Sequence, residues 1–464
     1  MDGKGKGRPG AGIALAASAL ILAGCAHPLT SPPGPSCATF MAAYEPTDLA
    51  TRERALLAAT APASPLEEAL ADKLRREAVA APALARPAAP VRLDVLVLSG
   101  GGSYGAYGAG FLTGLYGAGP PAAPEIALKD YDVVTGISTG AVMATYVWGA
   151  IILDGQPADP AGNRGLKDLA TLYQVTDKDL FTKQGLLPAV LGSNGLYDPR
   201  GLLERRVHDG VRSYAGLLRS GDGQRVDIGA VNVRNGKFYR FDLKAMVGSP
   251  DPEALDCYAE AVLASAAIPL AFPPRFIDGE PYYDGGIRFA TYYGDVLPRL
   301  AAMAARAGRK LELNIRIIVN GNQSPNEPGA DAAQARDCDA ASLGQVHARC
   351  PPVANSLLGS LIGGGGAKGL VPRAVEDIMV DQIGIDSTHR IYGDWRAADV
   401  LGTFKYTFVS NAEMAAPPPD AGVAGACQRP AASTDQFDRA FMDCLFAVGQ
   451  AKGRAGRWSF ESVK

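Results

Sequence analysis

Histidine is scarce in this chain, with four among 464 residues. A site that depends on imidazole, as a base or as a metal ligand, therefore has few candidates. The formal net charge is −3, so the chain lacks the basic excess that nucleic-acid binding requires, and we expect no nucleic-acid partner. Neither a CxxC spacing nor a repeat period occurs, and the sequence predicts no metal site, no cofactor and no solenoid.

Long apolar runs are also missing after the N-terminus, and we expect no transmembrane helix. The basic head "MDGKGKGRPG" precedes an apolar stretch, "AGIALAASALILAG", which is typical of a signal peptide over residues 1–24. Leu22–Cys25 resembles the bacterial lipobox, whose cysteine is lipidated after cleavage just before it; the alternative is a plain secretory signal. Ala26 is not the aspartate that marks inner-membrane retention. The resemblance therefore favours an outer-membrane lipoprotein that faces the periplasm and is anchored through Cys25.

Six cysteines remain if Cys25 carries the lipid, and an even number in an oxidising compartment allows disulfides. The pairs Cys338–Cys350 and Cys427–Cys444 would close short loops. They would leave Cys37–Cys257 as the third pair. Other pairings remain open at this point.

The composition changes near residue 90. Residues 25–90 are rich in alanine and proline, which favours a tether, although "PLEEALADKLRREAVA" can form a helix. From residue 91 to 464, apolar runs of strand length alternate with helical patterns. This alternation predicts one α/β domain whose mainly parallel sheet is covered by helices on both faces.

The stretch "DVVTGISTGAVMATYV" contains Ser138, with Gly136 and Gly140 two residues to either side. A strand precedes the serine and an apolar helix follows it. A nucleophile on such a tight strand-to-helix turn needs glycine neighbours, because side chains there would collide with the strand and the helix. The alternative is an ordinary small-residue turn.

A second glycine cluster, "SGGGSYGAYGAG", follows the strand predicted over 91–98. The amides of Gly100, Gly101 and Gly102 can point towards one oxygen and form an oxyanion hole. Phosphate binding is the alternative. It is disfavoured because no GK[ST] follows and no acidic residue stands at the tip of a later strand.

The stretch "FIDGEPYYDGGIRFA" supplies a carboxylate, Asp284, followed by Gly285 and Gly286. Asp284 is a candidate general base for the serine. An aspartate before two glycines is also a common turn former, so the peptide alone leaves both interpretations open.

Together, the glycine cluster, GxSxG, "ASAAIPLAFPP" and Asp284-Gly-Gly resemble, in this order, the patatin-like phospholipases. The resemblance implies a three-layer α/β/α fold and a serine lipid acyl hydrolase of phospholipase, lysophospholipase or esterase type. It implies that Ser138 and Asp284 act as a dyad through an acyl-enzyme, on membrane lipid or another acyl ester. One departure is Tyr104, where the family commonly has arginine or lysine, which weakens the case for phospholipid as the preferred substrate.

Two alternatives remain. A serine–histidine–aspartate hydrolase could use His389, which lies downstream in "DSTHRIYGDW". The chain could also be a lipoprotein scaffold that has kept the hydrolase fold without turnover.

Overall fold

The structure of the chain is a computed structural model. The structure describes residues 34–44, 64–80, 89–117, 125–154, 162–183, 197–199, 201–221, 223–269, 271–293, 297–323, 370–428, 435 and 437–464. The proposed signal peptide, Cys25, Cys338 and Cys350 lie outside these residues.

Strands of the described chain form one large sheet and a small hairpin. The strands are β1 (Met41–Tyr44), β2 (Val91–Leu98), β3 (Val133–Ile137), β4 (Thr182–Lys183), β5 (Tyr197–Asp198), β6 (Arg225–Asn232), β7 (Phe238–Asp242), β8 (Arg275–Ile277), β9 (Glu280–Asp284), β10 (Leu311–Ile318), β11 (Thr403–Thr407) and β12 (Phe460–Val463). The large sheet has the order β1-β7-β6-β3-β2-β10-β11-β12, with β9 also paired to β6 and β8 to β9. The five central strands, β6, β3, β2, β10 and β11, run parallel to one another. The outer pairs β1–β7, β7–β6 and β11–β12 are antiparallel.

Helices cover the sheet. They are α1 (Pro65–Ala80), α2 (Gly105–Tyr116), α3 (Thr139–Asp154), α4 (Arg164–Leu172), α5 (Asp177–Leu180), α6 (Leu203–Arg219), α7 (Leu243–Gly248), α8 (Ala254–Ser265), α9 (Leu297–Arg306), α10 (Leu370–Ala397), α11 (Asn411–Ala415) and α12 (Arg439–Arg454). In the part of the chain that is described, no helix has both the length and the apolarity to cross a bilayer.

The two faces of the sheet are buried by different helices. Along β2, Val95 and Val97 belong to a core shared with α1, α9 and α10. Leu96 and Leu98 belong to the core shared with α2, α3, α8 and α12. A strand that is apolar on both sides is what a parallel sheet between two helical layers requires. The predicted three-layer α/β/α fold is confirmed.

The tether predicted for residues 25–90 is wrong for two of its stretches. β1 pairs with the edge strand β7, and α1 packs on the sheet with Leu66 and Leu70 fully buried. The buried Glu67 also pairs with Arg299, at 2.6 Å from its Nε. Leucines spaced four apart form the apolar stripe of a docked helix, and the alanine-rich composition around them hid that stripe.

Two disulfides join described cysteines. Cys37 is bonded to Cys257, which ties the segment before β1 to α8, and Cys427 is bonded to Cys444 on α12. Cys427–Cys444 is the pair favoured from its short loop, and Cys37–Cys257 is the pair that this choice left over. The first crosses 220 residues of sequence.

Candidate active site

Ser138 lies on a strained turn between β3 and α3. Its φ is 54°, a left-handed value that non-glycine residues rarely adopt, and its side chain is buried, with 5% exposed. A Cβ on Gly136 would stand 2.5 Å from the Gly140 carbonyl oxygen, and one on Gly140 would overlap the Leu98 carbonyl oxygen. The two glycines are therefore needed for close backbone approach.

The N-terminus of α3 points at this serine. The amides of Ala141 and Val142 donate to the Ser138 carbonyl oxygen at 2.9 and 3.2 Å, which are the first bonds of the helix. The amides of Thr139 and Gly140 precede those bonds and have no acceptor within the helix. Together with the helix dipole, they make this end of α3 favourable for a negatively charged oxygen.

Asp284 reaches the same place through strand register. On one edge of β6, Ile137 of β3 pairs with Gly229, and Asp284 of β9 pairs with Ala230. The opposite edge of β6 is occupied by β7 over the same residues. β3 and β9 therefore end against each other on a single edge of β6, and the residue after Ile137 is Ser138. The structure brings the predicted serine and aspartate to adjacent positions of the sheet.

The backbone around Asp284 is fixed by several contacts. Its N–H donates to the Ala267 carbonyl oxygen at 2.9 Å, and its Oδ1 accepts from the Gly286 N–H at 2.7 Å. A Cβ on Gly285 would stand 2.5 Å from the Gly229 carbonyl oxygen and 3.1 Å from Ile137 Cγ2.

Ser265, the last residue of α8, also contacts the turn. Its Oγ accepts from the Ser138 N–H at 3.0 Å and donates to the Gly229 carbonyl oxygen at 2.6 Å, and the residue is fully buried. Ser265 belongs to "ASAAIPLAFPP", and the resemblance of that stretch to the family was the one signal in the sequence that could have pointed to it.

The glycine cluster lies beside Ser138, but one of its three predicted donors is already used. The Gly100 N–H donates to the Ala290 carbonyl oxygen at 3.0 Å. Gly101 and Gly102 have φ values of 147° and 54° and begin the short helical turn of residues 102–104. Amides at the start of such a turn have no acceptor within it. The predicted oxyanion hole is therefore corrected to exclude the Gly100 amide.

Asn320, which follows β10, holds the cluster in place. Its backbone N–H donates to Ser99 Oγ at 2.7 Å, and its Nδ2 donates to the Ser99 carbonyl oxygen at 2.7 Å. Ser99 Oγ in turn donates to the Gly100 carbonyl oxygen at 2.7 Å. Asn320 is fully buried. The conformation of the glycine cluster is thus set by a residue more than 200 positions away, which the sequence alone did not reveal.

A cavity of about 390 Å³ opens onto Ser138 and Gly102. Most of its walls are apolar, with contributions from Val142, Leu172, Leu180, Phe181, Val262 and Phe272. Charged side chains, Asp168, Arg206 and Asp209, occur at another part of the wall. The volume lies in the range of small-molecule sites, and the apolar walls suit a hydrocarbon chain.

Tyr173 closes one side of the turn. Its hydroxyl contacts the Thr139 hydroxyl, and both residues line the cavity. Burial raises the pKa of Tyr173 well above its ordinary value, partly opposed by the bond to Thr139. The phenol therefore stays protonated and can donate to Thr139.

A buried ion pair lies on β6 two residues before Gly229. Asp227 accepts from Arg240 Nη1 at 2.8 Å, and its carboxylate is also 3.3 Å from the Tyr292 hydroxyl. Burial raises the pKa of Asp227 to about 7, against the lowering effect of Arg240. The Asp227 carboxylate is buried in the sheet, and its ion pair with Arg240 stabilises β6 next to the site.

The triad alternative would require His389 at the serine. His389 is exposed on α10, and in the described part of the chain no hydrogen bond joins it to Ser138. Tyr104, which replaces the family's basic residue, packs edge-on against Phe441 with ring centroids 5.4 Å apart. Across the described ranges, no group of three or more His, Cys, Asp or Glu side chains is arranged to hold a metal.

Comparisons with known proteins agree with this geometry at the level of the family. VipD from Legionella pneumophila is a similar solved structure, with a TM-score of 0.27 and 15% identity over 54% of this chain and 52% of that one. The chain thus spans about half the length of VipD, and the likeness is too small to bear on fold or activity. No curated protein matches the chain. Residues 96–293 match the sequence model of the patatin-like phospholipases, a range that includes Gly101, Ser138 and Asp284. These residues, which are less than half of the chain, correspond to a patatin-like phospholipase domain.

Proposed function

We propose that this protein is a serine lipid acyl hydrolase in which Ser138 is the nucleophile and Asp284 the general base. The observation that supports this assignment best is the pairing of Ile137 and Asp284 with consecutive residues on one edge of β6. The match of residues 96–293 to the patatin-like phospholipases independently supports hydrolysis of lipid acyl esters.

The reaction follows from these two groups. The Ser138 hydroxyl attacks the ester carbonyl carbon while its proton passes to Asp284. Collapse of the tetrahedral intermediate breaks the bond to the leaving alcohol, which takes the proton from Asp284. Water then attacks the acyl-enzyme, giving up a proton to Asp284, and the fatty acid leaves as Ser138 regains its hydrogen.

The developing oxyanion is stabilised by backbone amides. We assign this role to the amides of Gly101, Gly102 and Thr139, since the Gly100 amide is bonded to Ala290. One donor of this kind contributes about 3 kcal/mol to transition-state stabilisation. Because Tyr104 stands where the family commonly has a cation, the negative charge of the intermediate is stabilised by these amide dipoles.

The acyl chain of the substrate occupies the apolar cavity. Its walls begin at Ser138 and Gly102, where the carbonyl carbon and oxygen would lie, and continue along Val142. The substrate class is therefore an ester with a hydrocarbon acyl chain, of phospholipid, lysophospholipid or simpler type.

The assignment is tested with the purified protein and a panel of phospholipids, lysophospholipids and short-chain esters. Ser138→Ala should abolish hydrolysis and labelling by a fluorophosphonate while the unfolding temperature stays close to that of the wild type. Hydrolysis that continues undiminished in the variant would reject Ser138 as the nucleophile. A folded wild type that neither hydrolyses nor reacts would favour the scaffold alternative.

Attachment to the outer membrane through a lipid on Cys25, with the enzyme facing the periplasm, is a further part of this proposal. It rests on Leu22–Cys25 and the preceding apolar stretch. Cells fed a labelled fatty acid should incorporate it into the wild type and not into Cys25→Ser. Incorporation into both proteins would contradict the assignment.

A further inference from the structure

The turn that ends α8 contacts both residues of the proposed dyad. Ser265 Oγ accepts from the Ser138 N–H at 3.0 Å, and the Ala267 carbonyl oxygen accepts from the Asp284 N–H at 2.9 Å. These two bonds originate two residues apart in one turn. Two residues of a single turn therefore fix the backbones of the proposed nucleophile and of the proposed base.

The nucleophile turn needs a partner of this kind. At a φ of 54°, Ser138 leaves the extended conformation of β3, whose last pair with β6 is Ile137 with Gly229. A buried N–H left without an acceptor is destabilising. That cost would be added to the strain of a serine in the left-handed conformation.

A hydroxyl is suited to this position because it accepts and donates at once. Ser265 Oγ accepts from Ser138 and donates to the Gly229 carbonyl oxygen at 2.6 Å, so it bridges the turn to β6. Gly229 precedes Ala230, the residue that pairs with Asp284. An aliphatic side chain of the same size makes neither bond.

We propose that Ser265 is a positioning residue that fixes the Ser138 backbone relative to β6 and Asp284. The hydroxyl contacts neither the substrate nor the reacting atoms. It acts by keeping the attacking oxygen and the carboxylate in register across β6. This inference rests on the proposed function of Ser138 and Asp284.

The test compares Ser265→Ala and Ser265→Thr with Thr407→Val as a matched control. Thr407 is also fully buried, and its Oγ1 bonds to the Tyr107 hydroxyl at 2.5 Å, on β11 and α2, away from the dyad. For each variant one measures kcat and KM on a soluble ester, the rate of fluorophosphonate labelling, and hydrogen exchange of a peptide that contains the Ser138 amide.

We expect Ser265→Ala to lower kcat and the labelling rate on the order of tenfold, with KM nearly unchanged. Exchange at the Ser138 amide should rise in this variant. Ser265→Thr should restore part of the rate because its Oγ can make the same two bonds. Thr407→Val should lose stability without these changes.

Unchanged labelling and unchanged exchange in Ser265→Ala would overturn the inference, as would an equal loss of labelling in Thr407→Val. A wild type that does not react would reject the proposed function. In that case faster hydrogen exchange at the Ser138 amide in Ser265→Ala would still support the role of Ser265 in fixing the Ser138 backbone. Unchanged exchange would still contradict that role.

Discussion

The Asn320 carbonyl oxygen lies so close to the α-carbon of Gly101 that a Cβ on the glycine would overlap it. Gly101 also has a φ of 147°, which side chains rarely tolerate. The glycine cluster is thus pressed against the loop after β10 and has no space for a larger residue. Because the glycine cluster lies beside Ser138, its contact with Asn320 bears on the proposed reaction.

Gly101→Ala should displace the cluster and reduce activity by about a hundredfold, as loss of an oxyanion donor does. The unfolding temperature should also fall, because φ and space both oppose the methyl group. Gly216→Ala is the matched control: it lies on α6 and a Cβ there meets nothing within 4 Å. Steady-state kinetics and thermal unfolding check both variants. Full activity in Gly101→Ala would contradict the assignment of this cluster.

Asp284→Asn should lower kcat by about a thousandfold, because the amide cannot accept the Ser138 proton. The substitution keeps an oxygen that can accept from the Gly286 N–H, so the fold should persist. His389→Ala, which alters an exposed side chain, should retain full activity. Loss of activity in the histidine variant together with survival of the asparagine variant would favour a triad over the dyad.

Val142→Trp should narrow the cavity. Val142 and Tyr146, one turn apart, are part-exposed on α3, and both line the cavity. We expect kcat/KM to fall about tenfold or more for long-chain esters, with acetyl esters much less affected. Val463→Trp, at a residue with 73% of its surface exposed, is the control. An equal loss for both chain lengths would argue against this cavity as the acyl site.

Glu125→Gln should destabilise the fold in a pH-dependent way. Burial opposes ionisation of Glu125, but Arg316 and Lys405 outweigh it and hold the pKa of the carboxyl below its ordinary value. Arg316 Nε donates to Glu125 at 2.6 Å and both side chains are buried. The stabilisation that the Glu125 carboxylate contributes is therefore present above the ordinary pKa of the group, and it is lost as the pH falls through the lowered pKa.

Denaturant unfolding at neutral pH should show a loss of about 3 kcal/mol in Glu125→Gln, and the difference from the wild type should shrink as the pH falls below the ordinary pKa of the carboxyl. Glu461→Gln is the control. Glu461 lies 3.4 Å from the same Lys405 but is half exposed, so its loss should change little. A difference that stays constant with pH would contradict the electrostatic account.

Local features of the site could be predicted from the sequence because their causes are local. The strand before Ser138, the helix after it and the glycines around it all follow from spacing over a few residues. The parallel sheet followed from apolar runs of strand length. For the same reason, "PLEEALADKLRREAVA" was recognised as helical, whereas its docking on the sheet was missed.

Long-range features could not be predicted. The pairing of Asp284 with Ala230 depends on strand register, and the loss of the Gly100 amide to Ala290 depends on a turn after β9. Ser265 contacts a residue 127 positions away. No composition or periodicity reports such contacts, and only the assembled sheet reveals them.

The disulfide between Cys37 and Cys257 joins the segment before β1 to the helical layer of the domain. If Cys25 carries the lipid as proposed, the segment that links the lipid to the domain runs from residue 25 to residue 37, which is 12 residues. A tether that extended to residue 90, as the composition predicted, would have had 65. Fully extended, 12 residues span roughly 40 Å. The domain would therefore stay close to the bilayer that holds it, and its substrates would come from that bilayer or its immediate vicinity.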